Sequence, residues 1–392
     1  MTENLEILGN EVAGSCAPVV MGTRGPVAVI GTGLIGTSIA LGLQEAGIEV
    51  FLQDTSPTSL ALATDMGAGK QLEETKANSI KLAIVAAPPD VAGSCVVDAL
   101  RRFPNAVVTD VASVKTSILA EVERTAAADQ GLPIANYVGS HPMAGRAYSG
   151  AAAAQGDLFV GRPWVIVPTP HSRAEATLAV RNLAVDLGAI PLEMQPQEHD
   201  RAVALISHVP QLVSSLLAAR LEEATVNDLS LVGQGLRDTT RIAASDPKLW
   251  TAIIAANREP ITEILQKFRD DLENLIDRIG GDASGGVGAV HRVIASGNRG
   301  VERIPGKHGG MRSRWAAIEV LVPDEPGELG RLFSELGSVG VNIEDLQLEH
   351  SAKQPVGLAR LLVNPQVVDV ACRELEERGW RIVSIGGLGA QR

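Results

Sequence analysis

Two hydrophobic periodicities divide the chain into successive parts. Up to about residue 194, short apolar runs rich in β-branched residues alternate with amphipathic helical stretches, which is typical of a parallel sheet built from β-α-β units. The runs that predict strands are "VAVIG" (27–31), "EVFLQD" (49–54), "LAIVAAP" (82–88), "AVVTDVAS" (106–113), "IANYVGS" (134–140) and "WVIVPT" (164–169). The pattern therefore predicts a doubly wound α/β domain over residues 26–194.

Helical periodicity replaces these strand signals after Gln195. The stretches "ISHVPQLVSSLLAARLEEA" and "WTAIIAANREPITEILQKFRDDLENLIDRI" carry apolar residues at spacings of three and four, which predicts amphipathic helices. We expect an all-α domain over residues 195–290. Residues 291–313 are rich in glycine and basic residues and have weak periodicity, so they are predicted to form a linker.

The last part of the chain returns to alternating strand and helix patterns. Its segments are "RWAAIEVLVPD", "GELGRLFSELGSVG", "VNIEDLQLEH", "VGLARLLV", "QVVDVACRELEERG" and "WRIVSIGG". Their order is β-α-β-β-α-β, which predicts a ferredoxin-like domain over residues 314–392.

Composition and charge narrow the classes of partner. A chain of 392 residues is long enough for two or three domains, and its formal net charge of −12 argues against nucleic acid or an anionic membrane as a partner. No run approaches the ~18 uncharged apolar residues that a membrane helix needs. Small molecules are therefore the expected ligands.

The cysteines and the N-terminal residues indicate the cellular compartment of the protein. The three cysteines lie far apart and form no C-x-x-C pair, so neither a disulfide framework nor a zinc site is indicated. The opening "MTENLEILGNEVAGSC" lacks a basic region followed by an apolar one, so it does not read as a secretory signal. We expect a cytoplasmic protein whose residues 1–25 form a tail of little structure.

A glycine-rich turn follows the first predicted strand. Gly31 permits the tight turn, Gly33 lets the backbone approach a pyrophosphate, and Gly36 lets the helix pack closely on the strand. The whole loop consists of Gly31, Thr32, Gly33, Leu34, Ile35 and Gly36. Because this G-x-G-x-x-G lies between a strand and a helix, it predicts a Rossmann-type dinucleotide-binding domain.

An acidic residue at the end of the second strand selects the cofactor. Asp54 can accept hydrogen bonds from a ribose 2′-hydroxyl, whereas it would repel the 2′-phosphate of NADP. Residues 55–58 offer no arginine for that phosphate, so NAD is favoured. Pro88 follows a later strand at a place that edges the nicotinamide ribose, although a plain turn would explain it equally well.

Two further strand ends carry candidate reagents. Loops at one edge of a doubly wound sheet converge on the ligand crevice, which brings "TDVASVK" and "GSHPMAG" towards the nicotinamide. His141 is the natural proton acceptor near neutral pH, and Ser113 can orient its ring. Taken alone, His141 is better explained by a turn before Pro142. Asp110 and Lys115 are ambiguous, because such residues in a strand-to-helix loop often only cap a helix and form an ion pair.

The helical part contributes histidines and a polar stretch. His199 and His208 are nine residues apart, whereas metal ligation on one helix face needs three or four, so no metal site is implied. In "GQGLRDTTRIAASDPKLW", Arg241 can anchor a substrate carboxylate as a bidentate pair. A salt-bridge network between helices would explain the same residues.

Taken jointly, these motifs resemble the prephenate/arogenate dehydrogenase family of tyrosine biosynthesis. The matching segments, in the family's order and spacing, are "GTGLIGTS", "TDVASVK", "HPMAGRAYSG", "HDRAVALISHVP" and "RDTTRIAASDPKLW". The resemblance implies hydride transfer from ring carbon C4 of prephenate to NAD, loss of the ring carboxylate as carbon dioxide, and formation of 4-hydroxyphenylpyruvate. It also implies a homodimer assembled through the helical domain.

The resemblance assigns roles to individual residues. His141 matches the catalytic histidine, Ser113 the serine that positions the hydroxyl and the imidazole, and Arg241 the arginine that holds a substrate carboxylate. The substrate-binding residues implied by the family are Ser113, His141, His199, His208, Gln211, Arg241 and Trp250.

Departures from the family pattern leave the substrate open. Gln211 stands where members often have a second histidine in Ser-His-Leu-Pro-His, so arogenate is an alternative to prephenate. Ala147 stands where a glutamate is common. A β-hydroxyacid dehydrogenase is a further alternative, but the catalytic lysine of that class is missing from "HDRAVALISHVPQ". An inactive amino-acid sensor is disfavoured by the intact motifs.

The C-terminal part resembles an ACT domain, a module that typically binds amino acids. The loop "PDEPGEL" precedes a helix whose N-terminus can hold an effector carboxylate, and tyrosine is the expected inhibitor by analogy. The implied effector-binding residues are Asp324, Pro326, Gly327, Asn342 and Ile343. A dimerisation module without a ligand is the alternative.

Overall fold

The computed structural model describes residues 21–145, 150–281, 283–305, 315–350 and 356–387. The chain forms two compact units. The first contains Met1–Ser215 and Ile242–Leu265, and the second contains Leu216–Arg241 and Gln266–Arg392.

A parallel five-stranded sheet organises the first unit. Its strands are β1 (Val27–Ile30), β2 (Val50–Gln53), β3 (Lys70–Gln71), β4 (Leu82–Val85) and β5 (Val107–Asp110). They pair in the order β3-β2-β1-β4-β5, which confirms the Rossmann-type sheet. The connecting helices are α1 (Leu34–Glu45), α2 (Pro57–Asp65), α3 (Pro89–Arg102) and α4 (Thr116–Ala128). The strand order reverses between β1 and β4, and a ligand crevice forms at such a point.

A second, three-stranded sheet completes the α/β region. It consists of β6 (Gly139–Pro142), β7 (Pro163–Val167) and β8 (Ile190–Glu193), with α5 (Ala174–Asp186) between the last two. β6 runs antiparallel to β7, and an isolated bridge from Val108 to Tyr137 links this sheet to β5. The strand predicted at 134–140 therefore starts only at Gly139, because Ile134–Asn136 form a 3₁₀ turn.

The unstructured tail predicted for residues 1–25 ends earlier in the structure. The backbone N–H groups of Gly22 and Thr23 donate to the carboxylate of Asp186, at 3.2 and 2.6 Å. The side-chain amide of Asn182 donates to the carbonyl of Gly22 at 3.2 Å. Gly22 and Thr23 are thus tied to α5, whereas residues 1–20 lie outside the described part of the chain.

The middle of the chain is helical, as predicted. Its helices are α6 (Pro196–Val203), α7 (Val209–Ala219), α8 (Val226–Leu229), α9 (Gln234–Thr240), α10 (Pro247–Ala256), α11 (Arg258–Gly280) and α12 (Ala283–Glu302). These helices do not form one unit of their own over residues 195–290, because part of them packs on the α/β region. Ile253 of α10 is buried in the apolar core that also holds Phe51 and Val108.

The predicted linker over 291–313 is wrong for its first part. Residues 291–302 continue α12, in which Val287, Val290, Ile294 and Val301 recur at helical spacing. The glycines and basic residues of this stretch obscured that period in the sequence. Residues 306–314 lie outside the described part of the chain.

A continuous helical stretch runs over Pro196–Glu223 and includes a π-helical turn at Ala204–His208. By length and composition it would pass as a membrane span, contrary to the expectation from the sequence. Its polar residues His199, Asp200 and His208 are nevertheless buried inside the protein, as in a core helix of a folded domain. The π turn ends two residues before Pro210, which has no N–H to continue a regular helix.

The C-terminal region contains a four-stranded antiparallel sheet. Its elements are β9 (Ala316–Pro323), α13 (Glu328–Ser338), β10 (Ile343–His350), β11 (Val356–Val363), α14 (Val368–Glu377) and β12 (Arg381–Gly387). The strand order is β10-β11-β9-β12, as a β-α-β-β-α-β unit requires. Ile318, Leu332, Leu361 and Leu375 share its core.

Candidate active site

The glycine loop joins β1 to α1 with little room for side chains at two of its glycines. Gly31 has φ +100°, and a Cβ there would collide with the carbonyl of Ala86. A Cβ on Gly36 would collide with the carbonyl of Gly31. At Gly33, by contrast, a Cβ would meet no heavy atom of the described residues within 4 Å. The open approach at Gly33 suits a bound pyrophosphate, as the motif predicts.

Asp54 ties the end of β2 to this loop. One carboxylate oxygen accepts from the backbone N–H and the hydroxyl of Thr32, at 2.6 and 2.8 Å, and the other accepts from the N–H of Ser56 at 2.7 Å. Each oxygen of a carboxylate has more than one acceptor site, so hydrogen bonds from ribose hydroxyls remain geometrically open to it. Pro88 is exposed at the start of α3. The acceptor oxygens of Asp54 and the open space at Gly33 therefore fit NAD.

His141 lies on β6, half-buried, and its ring is held by a second histidine. Nδ1 of His141 is 2.9 Å from Nε2 of His199, with the rings in edge contact at 77°. Nδ1 of His199 is in turn 2.8 Å from a carboxylate oxygen of Asp200. Three residues therefore form one hydrogen-bonded chain, Asp200–His199–His141.

The direction of this chain follows from the chemistry of its end group. An ionised carboxylate only accepts, so His199 donates from Nδ1, and its Nε2 presents the lone pair that faces His141. His141 must then donate from Nδ1 to that lone pair. The consequence is that Nε2 of His141 is unprotonated and able to accept a proton.

Asp200 is fixed by the start of α4. The backbone N–H groups of Lys115 and Thr116 donate to its two oxygens at 2.9 and 2.8 Å. Burial alone would raise the pKa of Asp200, but the hydrogen bonds from His199, Thr116 and Lys115 lower it on balance. The carboxylate is thus ionised at neutral pH, as the direction of the chain requires.

Lys115 and Asp110 form a buried ion pair below the site. The Lys115 ammonium contacts one carboxylate oxygen of Asp110, and the Tyr137 hydroxyl donates to the other at 2.8 Å. Burial lowers the pKa of Lys115, and the charge of Asp110 opposes that shift. Lys115 is 1% exposed, so this pair is the structural ion pair that the sequence left as an alternative.

Surroundings keep His141 neutral. Its pKa is lowered well below the ordinary value by burial first, and then by electrostatic interactions with His199, Lys115 and His208. A neutral imidazole at physiological pH is the form that can take up a proton.

His208 lies in the π turn and is almost fully buried. Its Nδ1 is 3.1 Å from the side-chain nitrogen of Asn257, and its ring meets Trp250 edge-on at a centroid distance of 6.1 Å. Burial lowers the pKa of His208 to about 4, with His199 adding to the shift and Asp200 opposing it. Both His208 and Trp250, predicted from the sequence, therefore lie in one cluster, whereas no sequence signal singles out Asn257.

Gln211 is also buried, one helical turn beyond His208. Its side-chain nitrogen is 3.4 Å from the hydroxyl of Ser215, and its oxygen is 3.4 Å from the hydroxyl of Ser245. This residue is thus held among polar side chains at the position where the family pattern often has a histidine.

The remaining predicted residues are placed as follows. Ser113 is half-buried in the loop between β5 and α4, and within the described chain the ring of His141 is oriented by His199 rather than by Ser113. His199, predicted to bind substrate, has both ring nitrogens engaged by His141 and Asp200. The sequence hint that His199 orients another residue was the carboxylate of Asp200 directly after it.

Arg241 is exposed and begins a 3₁₀ turn, Arg241–Ala243, at the edge of the second compact unit. Its role as a carboxylate anchor stays a prediction. Arg146, Ala147, Tyr148 and Ser149 of the histidine motif lie outside the described residues. Among the residues that are described, no cluster of three or more metal-ligating side chains occurs.

Comparison with known proteins identifies the family of this chain. Residues 39–191 match the family model of the nucleotide-binding domain of prephenate dehydrogenase, and residues 195–286 match that of its dimerisation domain. The chain belongs to the prephenate dehydrogenase family. It is accordingly an NAD-dependent dehydrogenase, and the alternatives of a β-hydroxyacid dehydrogenase and an inactive sensor are set aside.

Two members of the prephenate dehydrogenase family illustrate the extent of similarity in sequence. The probable prephenate dehydrogenase NovF of Streptomyces niveus is 35% identical over 90% of this chain and 98% of its own. The prephenate dehydrogenase of Bacillus subtilis is 26% identical over 86% of this chain and 91% of its own. Both matches extend well beyond the two family domains.

Solved structures of the family give the same result for the fold. Prephenate dehydrogenase from A. aeolicus, in complex with hydroxyphenyl propionate and NAD⁺, covers 71% of this chain and 98% of its own with a TM-score of 0.61 and 25% identity. Arogenate dehydrogenase from Synechocystis covers 71% of this chain and 99% of its own with a TM-score of 0.59 and 28% identity.

Proposed function

We propose that the protein oxidises and decarboxylates prephenate to 4-hydroxyphenylpyruvate with NAD, in the biosynthesis of tyrosine. The observation that carries the proposal is the chain Asp200–His199–His141, which presents an unprotonated Nε2 beside a dinucleotide-binding sheet. The named activities of the relatives in Streptomyces niveus and Bacillus subtilis support the same substrate.

The mechanism follows from what each residue can donate or accept. Nε2 of His141 takes the proton of the C4 hydroxyl as that oxygen becomes a carbonyl. The loop Gly31–Gly36 and Asp54 would hold NAD, which would serve as the acceptor for the hydride of C4 when bound. Loss of the ring carboxylate as carbon dioxide makes the ring aromatic, and His141 returns its proton to the phenolic oxygen. Prephenate and NAD thus become 4-hydroxyphenylpyruvate, carbon dioxide and NADH, with no net release of a proton.

His199 and Asp200 act on His141 rather than on the substrate. They fix the tautomer and the plane of its ring, and the imidazolium that forms is stabilised by the ionised Asp200 through His199. We keep Ser113 as the residue that positions the C4 hydroxyl and Arg241 as the anchor of a substrate carboxylate.

Arogenate is the second candidate substrate. The buried Gln211, in place of a family histidine, and the 28% identity to Synechocystis arogenate dehydrogenase favour it. Initial rates with prephenate and with arogenate, each with NAD and with NADP, distinguish the two. Higher kcat/KM for prephenate with NAD is expected, and a preference for arogenate would replace our proposal by the second candidate.

The C-terminal β-α-β-β-α-β unit is proposed to be an ACT domain that mediates feedback inhibition by tyrosine. The loop before α13 supports this role, since Asp324, Pro326 and Gly327 precede the helix and Gly327 has φ +96°. Asn342 directly precedes β10, which begins at Ile343. The family model for residues 195–286 supports assembly as a homodimer, and a biosynthetic role is in keeping with the cytoplasm.

A further inference from the structure

We propose that Asn257 is a positioning residue that holds His208 as a neutral imidazole protonated on Nε2. The site then offers two imidazoles of opposite polarity, an acceptor on His141 and a donor on His208. The partner of the donor is an anionic or carbonyl oxygen of the substrate, and for prephenate it is a carboxylate. The identity of that substrate rests on the proposed function, whereas the state of His208 does not.

The orientation of the Asn257 amide is fixed by a backbone carbonyl. Its side-chain nitrogen lies 2.8 Å from the carbonyl oxygen of Asp200, which can only accept. The reverse orientation would place two oxygens against each other at this distance. The NH₂ group therefore faces Asp200, and its nitrogen is the atom that also lies 3.1 Å from Nδ1 of His208.

The protonation site of His208 follows from that orientation. The amide nitrogen of Asn257 has two hydrogens, one for the Asp200 carbonyl and one for Nδ1 of His208. Nδ1 must accept, so the proton of the neutral ring is on Nε2. A proton on Nδ1 would set two donors against each other inside the protein, where Asn257 is 3% and His208 1% exposed, so water cannot take over either contact.

Asp200 determines the protonation site of both His141 and His208. Its side chain, through His199, leaves His141 with a free acceptor, while its main-chain carbonyl, through Asn257, leaves His208 with a donor. Among the described residues no hydrogen-bond partner occupies Nε2 of His208. His141 is held by His199 and His208 by Asn257, and both of these residues bond to Asp200, so the two imidazoles are arranged around one residue.

The wild-type enzyme provides the first test. Long-range ¹H–¹⁵N spectra of the ¹⁵N-histidine-labelled protein at neutral pH distinguish protonated from unprotonated ring nitrogens, and the His208→Gln variant assigns the resonances. We expect a protonated Nε2 and an unprotonated Nδ1 for His208. The opposite pattern would overturn the proposal even if the enzyme oxidises prephenate, and this measurement requires no variant of Asn257.

The variant Asn257→Asp provides the second test, with Asn227→Asp as a control that adds the same charge at an exposed position. The new carboxylate accepts from Nδ1, so the proton of His208 should move there and the donor should be lost. We expect KM for prephenate to rise about tenfold or more with the affinity for NAD unchanged, since a hydrogen bond to a charged group is lost. A loss of activity with His208 still protonated on Nε2 would assign Asn257 a merely structural role.

Failure of the proposed function gives a different result. If neither prephenate nor arogenate is oxidised but His208 is protonated on Nε2 in the wild type, the activity is wrong and the role of Asn257 stands. If prephenate is oxidised and Asn257→Asp leaves both KM and the tautomer unchanged, the role of Asn257 is wrong and the activity stands.

Discussion

Two residues that lie behind His141 decide what His141 can do. Without Asp200 and His199 its proton could reside on either ring nitrogen, and the ring could turn about its bond to Cβ. The hydrogen bonds at 2.8 and 2.9 Å fix one tautomer and one plane, and the low pKa of His141 keeps the ring neutral. At the residue scale, the ability of His141 to accept a proton therefore depends on all three residues and not on His141 alone.

Replacing His141 by asparagine tests the proton acceptor. The amide can still donate to His199 from near the position of Nδ1, but it places no base at the position of Nε2. Turnover should fall by about 10² or more while the dissociation constant of NAD stays near that of the wild type. Rates of NADH formation and a binding titration measure the two. His171→Asn, at an exposed histidine, is the matched control, and unchanged turnover in His141→Asn would remove His141 from the mechanism.

The buried neutral state of His208 makes stability depend on pH. Its pKa is about 4 in the folded protein and about 6.5 in an unfolded chain, so between these values the unfolded chain binds more protons. The free energy of unfolding should therefore fall as the pH drops from 7 to 5, with His208 contributing about 2 kcal/mol.

Urea unfolding at the two pH values measures this contribution. His208→Gln should lose about 2 kcal/mol less than the wild type over the same interval, whatever its stability at pH 7. An equal loss in both proteins would mean that His208 is not held neutral.

Two local elements place the chemistry at the scale of helices and strands. In the turn from β1 to α1 there is free space for a Cβ at Gly33, whereas a Cβ at Gly31 or Gly36 would collide with a backbone carbonyl. The π turn at Ala204–His208 brings His208 into the protein beside Asn257, two residues before Pro210. Irregular backbone thus occurs at the two places where cofactor and substrate are expected to bind.

Alanine at Gly33 and at Gly31 should give different results. At Gly33 the added methyl group meets open space, so the melting temperature should stay near that of the wild type while NAD binding weakens by about tenfold or more, because the backbone can no longer approach the pyrophosphate. At Gly31 the positive φ and the carbonyl of Ala86 oppose any side chain, so the melting temperature should fall as well. Thermal unfolding and NAD titration separate the two effects. Normal NAD affinity in Gly33→Ala would argue against the predicted cofactor loop.

The whole molecule combines a dehydrogenase unit with a C-terminal sheet that the two family models do not cover. The second unit also carries apolar side chains left exposed in the single chain, among them Phe268 and Ile276 of α11 and Val287 and Ile294 of α12. Such faces are in keeping with the proposed homodimer.

Tyrosine inhibition tests the role assigned to the C-terminal sheet. If tyrosine binds there, Asn342→Ala should weaken inhibition by about tenfold and leave kcat and KM for prephenate unchanged. Asn342 is one of the proposed effector-binding residues, and among the described residues its side chain bonds only to Glu344. Inhibition curves at several prephenate concentrations give the measurement. Unchanged inhibition that is competitive with prephenate would place tyrosine in the active site instead.

The sequence alone predicted the elements whose cause is local. Alternating apolar runs gave β1, β2, β4 and β5, the spacing of Gly31, Gly33 and Gly36 gave the cofactor loop, and the family motifs gave His141. Local patterns failed in α12, where glycine and basic residues hid the helical period. They also failed at the N-terminal tail, which was predicted to have little structure although Thr23 bonds to Asp186, 163 residues away in the chain.

Tertiary structure decided which groups face each other. Nothing in the spacing of His141 and His199, 58 residues apart, indicates a hydrogen bond between them, and Asn257 belongs to no motif. Such contacts depend on how β6, α6 and α10 pack, and the direction of each proton depends on acceptors such as the Asp200 carboxylate and carbonyl that only the packing supplies. The sequence thus determined which residues could act. The fold determined that His141 is held as a proton acceptor and His208 as a hydrogen-bond donor, because only the packing places Asp200 beside the residues that hold both.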